Sequence, residues 1–122
     1  MMYPLDTNIL SERLSSQPPE NLFTSSICVM ELRMGSALRD DFPVFWERIN
    51  EQILSRINIL SLGGEEAKVA GDILAKLRKT GQWIGIEDVL IAATAISNRL
   101  TAVTANVGLF SRVDGLHVEN WL

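Results

Sequence analysis

The sequence predicts an α/β protein: a three-layer α/β/α sandwich, Rossmann-like, with a central parallel sheet. One pattern predicts this class. Short apolar runs of strand length alternate along the chain with segments whose apolar residues recur at helical spacing. Such alternation implies right-handed crossovers between parallel strands, with helices covering both faces of the sheet. The length of 122 residues fits one domain, which we expect to span residues 1–122.

The predicted strands are short. The first is an apolar run at residues 2–5 that stops at Asp6. Four more β-rich or apolar runs follow, at residues 22–25, 58–62, 100–104 and 115–121, and the last is expected at the sheet edge. Because ligands bind beyond the carboxyl ends of parallel strands, the chemistry of this protein is expected where these runs end.

Three helices are predicted in the first half of the chain. The apolar positions within residues 9–14 suit a short helix after the first strand. Ser25 or Ser26 is a suitable N-cap for a second helix that runs through Leu38. A third helix opens at Pro43, and its apolar residues recur every four positions: Phe45, Ile49, Ile53 and Ile57.

Two longer helices and a helical turn are predicted in the second half. The first carries an apolar stripe at i, i+3, i+4 and i+7 and closes at Gly81; the stripe is Ala70, Ile73, Leu74 and Leu77. Residues 86–96 are apolar almost throughout, which predicts a fully buried helix. Residues 106–110 predict a helical turn.

Composition excludes several classes of protein. With 47% hydrophobic and 21% charged residues, the chain is too apolar for a disordered protein. No apolar run approaches the roughly 18 residues that a membrane span needs, so no membrane association is expected. Cys28 is the only cysteine and lies between apolar neighbours, which predicts a buried thiol. A lone thiol and no secretory signal pattern point to the reducing cytoplasm.

The charge of the chain argues against nucleic-acid binding. The net charge is -4 and the pI is about 4.9, whereas phosphate binding usually needs a basic surface. Several acids gathered around a bound cation would weaken this objection, because the cation reverses the local sign. The basic residues are either a solvated face or phosphate contacts, and the first is the commoner role; they include Arg33, Arg39, Lys76, Arg78, Lys79 and Arg112.

Three carboxylates stand out because each interrupts an apolar context. Asp6 follows the first predicted strand, Glu31 lies inside a mostly apolar helix, and Asp88 opens the predicted buried helix. Partly buried carboxylates are costly unless they are paired, hydrogen-bonded or bound to a metal. If the three meet at one sheet edge, a divalent cation resolves their repulsion, and hard oxygen ligands favour Mg²⁺ or Mn²⁺.

Each of these residues also has a simpler interpretation. Asp6 suits a helix N-cap, Glu31 suits a solvent-facing position, and Asp88 suits a helix start favoured by the helix dipole. Asn8 and Thr104 lie near predicted strand ends, where they would orient a carboxylate or a metal-bound water. Turn chemistry is the commoner role for both of these residues.

Five segments in order carry a family resemblance. They are residues 5–12 (LDTNILSE), 30–35 (MELRMG), 84–93 (IGIEDVLIAA), 102–110 (AVTANVGLF) and 113–121 (VDGLHVENW). Each is weak alone, but the ordered set spans nearly the whole chain and is specific. It resembles PIN-domain proteins, and most of all the VapC toxins of bacterial toxin–antitoxin pairs.

The resemblance implies a PIN-like fold and a set of site residues. Asp6, Glu31 and Asp88 would be the core acids that hold Mg²⁺ or Mn²⁺ and serve catalysis. Asn106 falls where many members carry a fourth acid and others carry Asn. Residues 106–110 contain no carboxylate, which leaves open whether one or two metal ions bind. Asp114 is a possible substitute, although Asp-Gly is first a turn signal.

The activity implied by the resemblance is that of an endoribonuclease toxin. Such relatives cut structured RNA in exposed loops, often of transfer or ribosomal RNA, where splayed bases are readable. A metal ion polarises the scissile phosphate and lowers the pKa of a bound water, so no Ser, Cys or His nucleophile is needed. Relatives usually form homodimers and are silenced by a VapB-type antitoxin whose tail occupies the active-site groove. Trp83, in a predicted loop, suits such an interface, whereas Trp46 suits core packing at least equally.

Two rival functions remain. The first is a phosphatase or phosphotransferase with Asp6 as nucleophile. Asn8 stands where such enzymes carry a second Asp, and no Gly-rich phosphate loop is present. The second is a non-catalytic PIN-like module that binds protein or RNA. The acidic pI and the lack of a carboxylate in residues 106–110 favour this module, and the three core acids favour an enzyme.

Overall fold

The structure is a computed structural model that describes residues 22–120. The strand predicted at residues 2–5 and the helix predicted at residues 9–14 lie outside this range. In chain order the elements are β1 (Phe23–Ser25), α1 (Ser26–Ala37), α2 (Phe42–Gln52), a 3-10 turn (Leu54–Arg56), β2 (Asn58–Leu60), α3 (Gly64–Thr80), α4 (Ile86–Ser97), β3 (Ala102–Val103), α5 (Val107–Phe110) and β4 (Val118–Glu119). Strands and helices therefore alternate, as the sequence predicts.

The described strands form two parallel pairs. β1 pairs with β2, with Thr24 opposite Ile59, and β3 pairs with β4, with Ala102 opposite Val118. All three later strands are shorter than predicted. Apolar residues indicate a buried segment, and each buried segment extends beyond the residues whose backbones pair. The N–H of Leu100, for example, donates to the carbonyl of Ala95 at 2.8 Å, so Leu100 closes α4 instead of extending β3.

Helix α1 begins at an N-cap, as predicted, and the cap is Ser25. Its hydroxyl accepts a hydrogen bond from the N–H of Cys28 at 3.0 Å and donates to the sulfur of the same residue at 3.2 Å. Cys28 is 2% exposed, which confirms the predicted buried thiol. Capping satisfies a backbone donor that has no partner within the helix, and so it fixes where α1 leaves the sheet.

The helix opened by Pro43 is shorter than its four-residue spacing suggests. It ends at Gln52, and Ile53 has φ -124° and ψ -65°, outside the helical region. A 3-10 turn follows, so the prediction of a helix through Ile57 is wrong. Ile57 is nevertheless buried. The spacing was misleading because the turn brings its apolar side chains into the same core as the helix.

Helix α3 matches its prediction, and α4 departs from the predicted full burial at Ile86 in its first turn, which is 56% exposed. Gly81 ends α3 with φ 68°, and the N–H of Gln82 donates back to the carbonyl of Leu77 at 3.0 Å. Only glycine adopts this left-handed conformation at little cost. Helix α4 is buried over most of its length, including Val89, Ala92 and Ala93, which are 0% exposed. Small residues allow α3 and α4 to pack closely.

Two hydrophobic clusters lie on opposite sides of the strands. The first joins Cys28 to the buried residues of α3, α4 and α5, and Phe23 packs against it. The second contains Leu22 and Val103 together with buried residues of α2 and the 3-10 turn, and Trp46 packs against it. Neighbouring residues of a strand point to opposite faces, so Leu22 and Phe23 enter different clusters. The core-packing interpretation of Trp46 is thereby supported.

Membrane association was not expected from the sequence. Within residues 22–120, no helix is both long enough and apolar enough to cross a bilayer.

Candidate active site

A cavity of about 640 Å³ lies beside the end of β3 and is lined by two of the predicted acids. Glu31 reaches it from α1, and Asp88 reaches it from the first turn of α4. Thr104 and Asn106, which follow β3, also line it. Four of the predicted site residues therefore come together from three separate segments, at the carboxyl end of a parallel strand.

The electrostatics of the cavity follow from its acids. Burial raises the pKa of Glu31, and the negative charges of Glu87 and Asp88 raise it further. Burial also raises the pKa of Asp88, with a further contribution from Glu87. Like charges that share a site disfavour each other's ionised forms. A cation placed among these groups would relieve the repulsion, so the donor set and its charge suit a divalent cation.

The two acids differ in exposure. Asp88 is half-buried, as expected for a carboxylate that opens a buried helix, whereas Glu31 is an exposed residue. The solvent-facing interpretation of Glu31 therefore holds in terms of surface area, although the residue also lines the cavity. The exposure of α1 on this side is not confined to Glu31, since Met30 and Met34 are 50% and 61% exposed.

Thr104 is 7% exposed and makes a specific hydrogen bond. Its hydroxyl accepts the N–H of Asn106 at 3.0 Å, while its own N–H donates to the carbonyl of Glu119 at 3.0 Å. The hydroxyl thus shapes the turn that leads from β3 into α5. This is the turn chemistry that the sequence left open for Thr104, and it places Asn106 at the cavity.

The other predicted residues are distributed differently. Asp6 and Asn8 lie outside the described residues. Asp114 lies away from the cavity, where it forms an ion pair with Lys76, and Gly115 has φ 84°. The turn interpretation of Asp114 therefore holds, and the suggestion that it substitutes for a fourth acid is wrong. Across residues 22–120, no three acidic, histidine or cysteine side chains form a cluster able to hold a metal ion.

Arg39 and Phe45 line the same cavity, although no linear signal places them there. The sequence presents Arg39 only as one of several scattered cations and Phe45 only as an apolar helix position. The turn between α1 and α2 brings them together. Trp83 shows the opposite case, because its predicted loop position is confirmed and it is 45% exposed. The guanidinium of Arg78 lies 5.6 Å from the centroid of its ring.

Comparison with known proteins matches this arrangement to a family. The sequence profile of the PIN domain matches residues 4–116. The chain is 36% identical to ribonuclease VapC2 of Haemophilus influenzae over 132 residues, covering 100% of this chain and 99% of that protein. It is 32% identical to the tRNA(fMet)-specific endonuclease VapC of Shigella flexneri, covering 99% and 98% of the two chains.

Solved structures agree with the sequence relatives. The crystal structure of DNA-bound VapBC from Salmonella typhimurium contains a chain that superimposes with a TM-score of 0.89 at 27% identity, covering 99% of this chain and 97% of that one. FitAcB from Neisseria gonorrhoeae gives a TM-score of 0.82 at 33% identity, covering 98% and 97%.

The fold and the cavity define an α/β protein whose acidic side chains gather at the carboxyl end of a parallel strand. The chain belongs to the PIN-domain family, and its full-length relatives are VapC-type proteins. The α/β/α fold with parallel strands predicted from the sequence is thereby confirmed.

Proposed function

We propose that this chain is a divalent-metal-dependent endoribonuclease and the toxin of a VapBC-type toxin–antitoxin module. The observation that carries the proposal is the convergence of Glu31 and Asp88 on one cavity, beside the turn that Thr104 organises. Membership of the PIN family and the ribonuclease relatives support the same class of activity. We further propose that residues 1–122 form a single domain.

Mg²⁺ or Mn²⁺ suits the proposed site. Glu31 and Asp88 offer hard oxygen donors, and burial and neighbouring negative charges raise the pKa of each, so a bound cation would favour their ionised forms. We assign these two residues, with Asp6 from the N-terminal segment, as the metal-binding and catalytic acids. When bound, the cation supplies Lewis-acid polarisation of the scissile phosphate and lowers the pKa of a coordinated water.

The side chains of this protein have separate tasks in the reaction. The carboxylates of Glu31 and Asp88 would hold the cation, and one of them would accept the proton of the water as it bonds to phosphorus and the bond from phosphorus to the leaving ribose oxygen breaks. Thr104 fixes the backbone of Asn106, so that the side chain of Asn106 is presented to the cavity from a defined turn. We assign Asn8, from the N-terminal segment, and Asn106 a supporting role suited to neutral amide side chains.

RNA is the proposed substrate, and an exposed loop of transfer or ribosomal RNA is the proposed cleavage site. The Shigella flexneri relative is named as an endonuclease specific for tRNA(fMet), which supports a structured RNA. Unstacked loop bases are accessible for recognition, unlike the deep major groove of an RNA helix. The cytoplasm, which holds such RNA, is the proposed location.

A VapB-type antitoxin and a second copy of this chain are the proposed protein partners. Two solved relatives are VapBC complexes, one from Salmonella typhimurium and one from Rickettsia felis, which supports the antitoxin. The exposed apolar residues Met30 and Met34 lie four positions apart on one face of α1, and with Leu38 at the C-cap they offer a surface for such a partner. The homodimer rests on the resemblance to VapC proteins.

A cleavage assay with the purified, antitoxin-free protein tests the proposal. We expect cleavage of cellular RNA with Mn²⁺ and none with EDTA. Glu31→Gln, Asp88→Asn and Asp6→Asn should each remove most of this activity. Glu87→Gln is the matched control, because it removes the same charge one residue from Asp88 at a position that does not line the cavity. It should retain activity.

The competing function is a non-catalytic PIN-like module, favoured by the acidic pI and by the lack of a carboxylate in residues 106–110. Such a module would cut none of a broad panel of cellular RNAs, and its melting temperature would not respond to Mn²⁺. That pair of results would replace the enzyme with the binding module.

A further inference from the structure

One basic side chain, Arg39, lies among the described residues that line the catalytic cavity. It follows α1 in the turn that leads to α2, and its backbone N–H donates to the carbonyl of Ser36 at 3.0 Å. The turn therefore carries a cation to a cavity that also contains Glu31 and Asp88. In a chain with a net charge of -4, this placement brings a guanidinium, paired with the carboxylate of Asp41, to the position where a polyanion would have to approach.

The guanidinium of Arg39 is held from two directions. Its Nε and Nη2 donate to the two carboxylate oxygens of Asp41 at 2.7 and 3.0 Å, a bidentate arrangement. The guanidinium carbon also lies 3.8 Å from the centroid of the Phe45 ring, within the range of a cation–π contact. An arginine fixed in this way loses little further side-chain entropy when it binds a ligand.

The remaining donors of Arg39 are available to a ligand. A guanidinium has five N–H donors, and the carboxylate of Asp41 accepts two of them. Within residues 22–120, no other side chain or backbone oxygen accepts a hydrogen bond from this guanidinium. The side chain is 48% exposed, so the unused donors on Nη1 and Nη2 are accessible from solvent and from the cavity.

We propose that Arg39 is a substrate-binding residue that donates to a backbone phosphate of the RNA strand, next to the phosphate that is cleaved. The inference rests on the proposed nuclease function. Planar guanidinium donors match phosphate oxygens, and the contact offsets the repulsion between the acidic cavity and the flanking phosphates. Asp41 and Phe45 act as positioning residues, because they hold the guanidinium at the edge of the cavity.

Steady-state cleavage of one single-stranded oligoribonucleotide with Mn²⁺, at several salt concentrations, tests this role. Arg39→Gln should raise KM about tenfold, the effect of losing one charge-assisted hydrogen bond, while kcat changes by less than about twofold. The slope of log KM against log salt should become shallower by about 0.7, the value for one released counterion on a single strand. Arg39→Lys should give an intermediate KM with the original slope, since it keeps the charge and loses the planar fork.

Two further variants complete the test. Arg56→Gln removes the same charge from an exposed position in the 3-10 turn that does not line the cavity, and it should leave KM and the salt slope unchanged. Asp41→Asn retains the cation but loosens it, so KM should rise while the salt slope stays the same. This variant also carries the test if Arg39→Gln does not fold.

The possible outcomes separate the two claims. If the unmodified chain cuts no RNA, the nuclease function fails and the role of Arg39 fails with it. If the unmodified chain cuts RNA and Arg39→Gln behaves like Arg56→Gln, only the role of Arg39 is overturned. A weaker complex with a protein partner, at unchanged KM for RNA, would also overturn it and would assign Arg39 to a protein interface.

Discussion

Glu31 and Asp88 lie on different helices and line one cavity, where burial and then the negative charges of Glu87 and Asp88 raise the pKa of Glu31. The packing of α1 against α4 produces this relationship, because each helix alone would present its acid to solvent. Two carboxylates in such proximity are unfavourable for the folded protein without a cation. The predictions on stability and metal binding follow from that conflict.

The first prediction concerns the pH dependence of stability in metal-free protein. The pKa of Glu31 is raised above its ordinary value of 4.5 by burial and then by Glu87 and Asp88, so ionising it costs more in the folded than in the unfolded chain. This cost is absent at pH values below the pKa of Glu31 in the unfolded chain. It grows as the pH rises through the pKa of Glu31 in the folded protein. Glu31→Gln should therefore be more stable than the unmodified protein at pH 7, by no more than about 1 kcal/mol because the side chain is exposed.

Thermal unfolding in EDTA at a series of pH values measures this difference. The two melting temperatures should converge near pH 3.5, below the ordinary pKa, and separate as the pH rises. A Glu31→Gln protein that is less stable than the unmodified protein at pH 7 would contradict the raised pKa.

The second prediction concerns stabilisation by metal. Mn²⁺ should raise the melting temperature of the unmodified protein, since a ligand at about one hundred times its Kd stabilises the folded state by roughly 2.7 kcal/mol. Asp88→Asn should lose most of this gain, because it removes one of the proposed ligands. Differential scanning fluorimetry over a Mn²⁺ titration provides the measurement.

Glu87→Gln is the control for Asp88→Asn in that titration. Both changes remove one negative charge from the first turn of α4, but only Asp88 lines the cavity. The control should keep its response to Mn²⁺. An equal loss of stabilisation in both variants would show that the effect of Mn²⁺ depends on the overall negative charge at the start of α4 and not on a specific site.

The third prediction concerns the turn after β3. Thr104→Val keeps the shape of the side chain but leaves the N–H of Asn106 without its 3.0 Å acceptor. We expect a loss of about 1 kcal/mol of stability and a larger relative loss of RNA cleavage, since the turn positions Asn106 at the cavity. Thr104→Ser restores an acceptor and should recover most of both. Equal cleavage by the Val and Ser variants, measured at a temperature where both are folded, would show that this turn does not contribute to catalysis.

The fourth prediction compares a glycine inside α3 with the glycine that ends this helix. Gly81 ends α3 with φ 68°, so Gly81→Ala should destabilise the protein by about 1 kcal/mol through backbone strain. Gly71 lies inside α3 with open space around its Cα, so Gly71→Ala should stabilise by about 0.5–1 kcal/mol. Urea unfolding gives both free energies. If both variants changed the free energy of unfolding in the same direction, the proposed difference in backbone conformation between Gly81 and Gly71 would be disproved. RNA cleavage should be unaltered in both variants.

Local chemistry explains which predictions from the sequence were accurate. The Ser25 cap and the Gly81 terminus depend on neighbouring residues, and both are confirmed. Helix α4 is buried over most of its length, but Ile86 in its first turn is 56% exposed. The helix predicted through Ile57 fails because apolar spacing reports burial and does not report backbone conformation. The strands shorten for the same reason, since pairing depends on a second segment far away in the chain.

The sequence by itself determined the α/β class and the helix ends set by caps and glycines, and it proposed the acids of the site. Each of these is encoded within a few neighbouring residues. Tertiary structure alone decided that Glu31 and Asp88 share one cavity, that Asp114 pairs with Lys76 away from it, and that Arg39 is fixed at its edge by Asp41 and Phe45. The physical reason is that charge repulsion, ion pairing and cation–π contact act over a few ångströms in space. Their strength is therefore set by how helices pack and turns close, which the order of residues along the chain does not display.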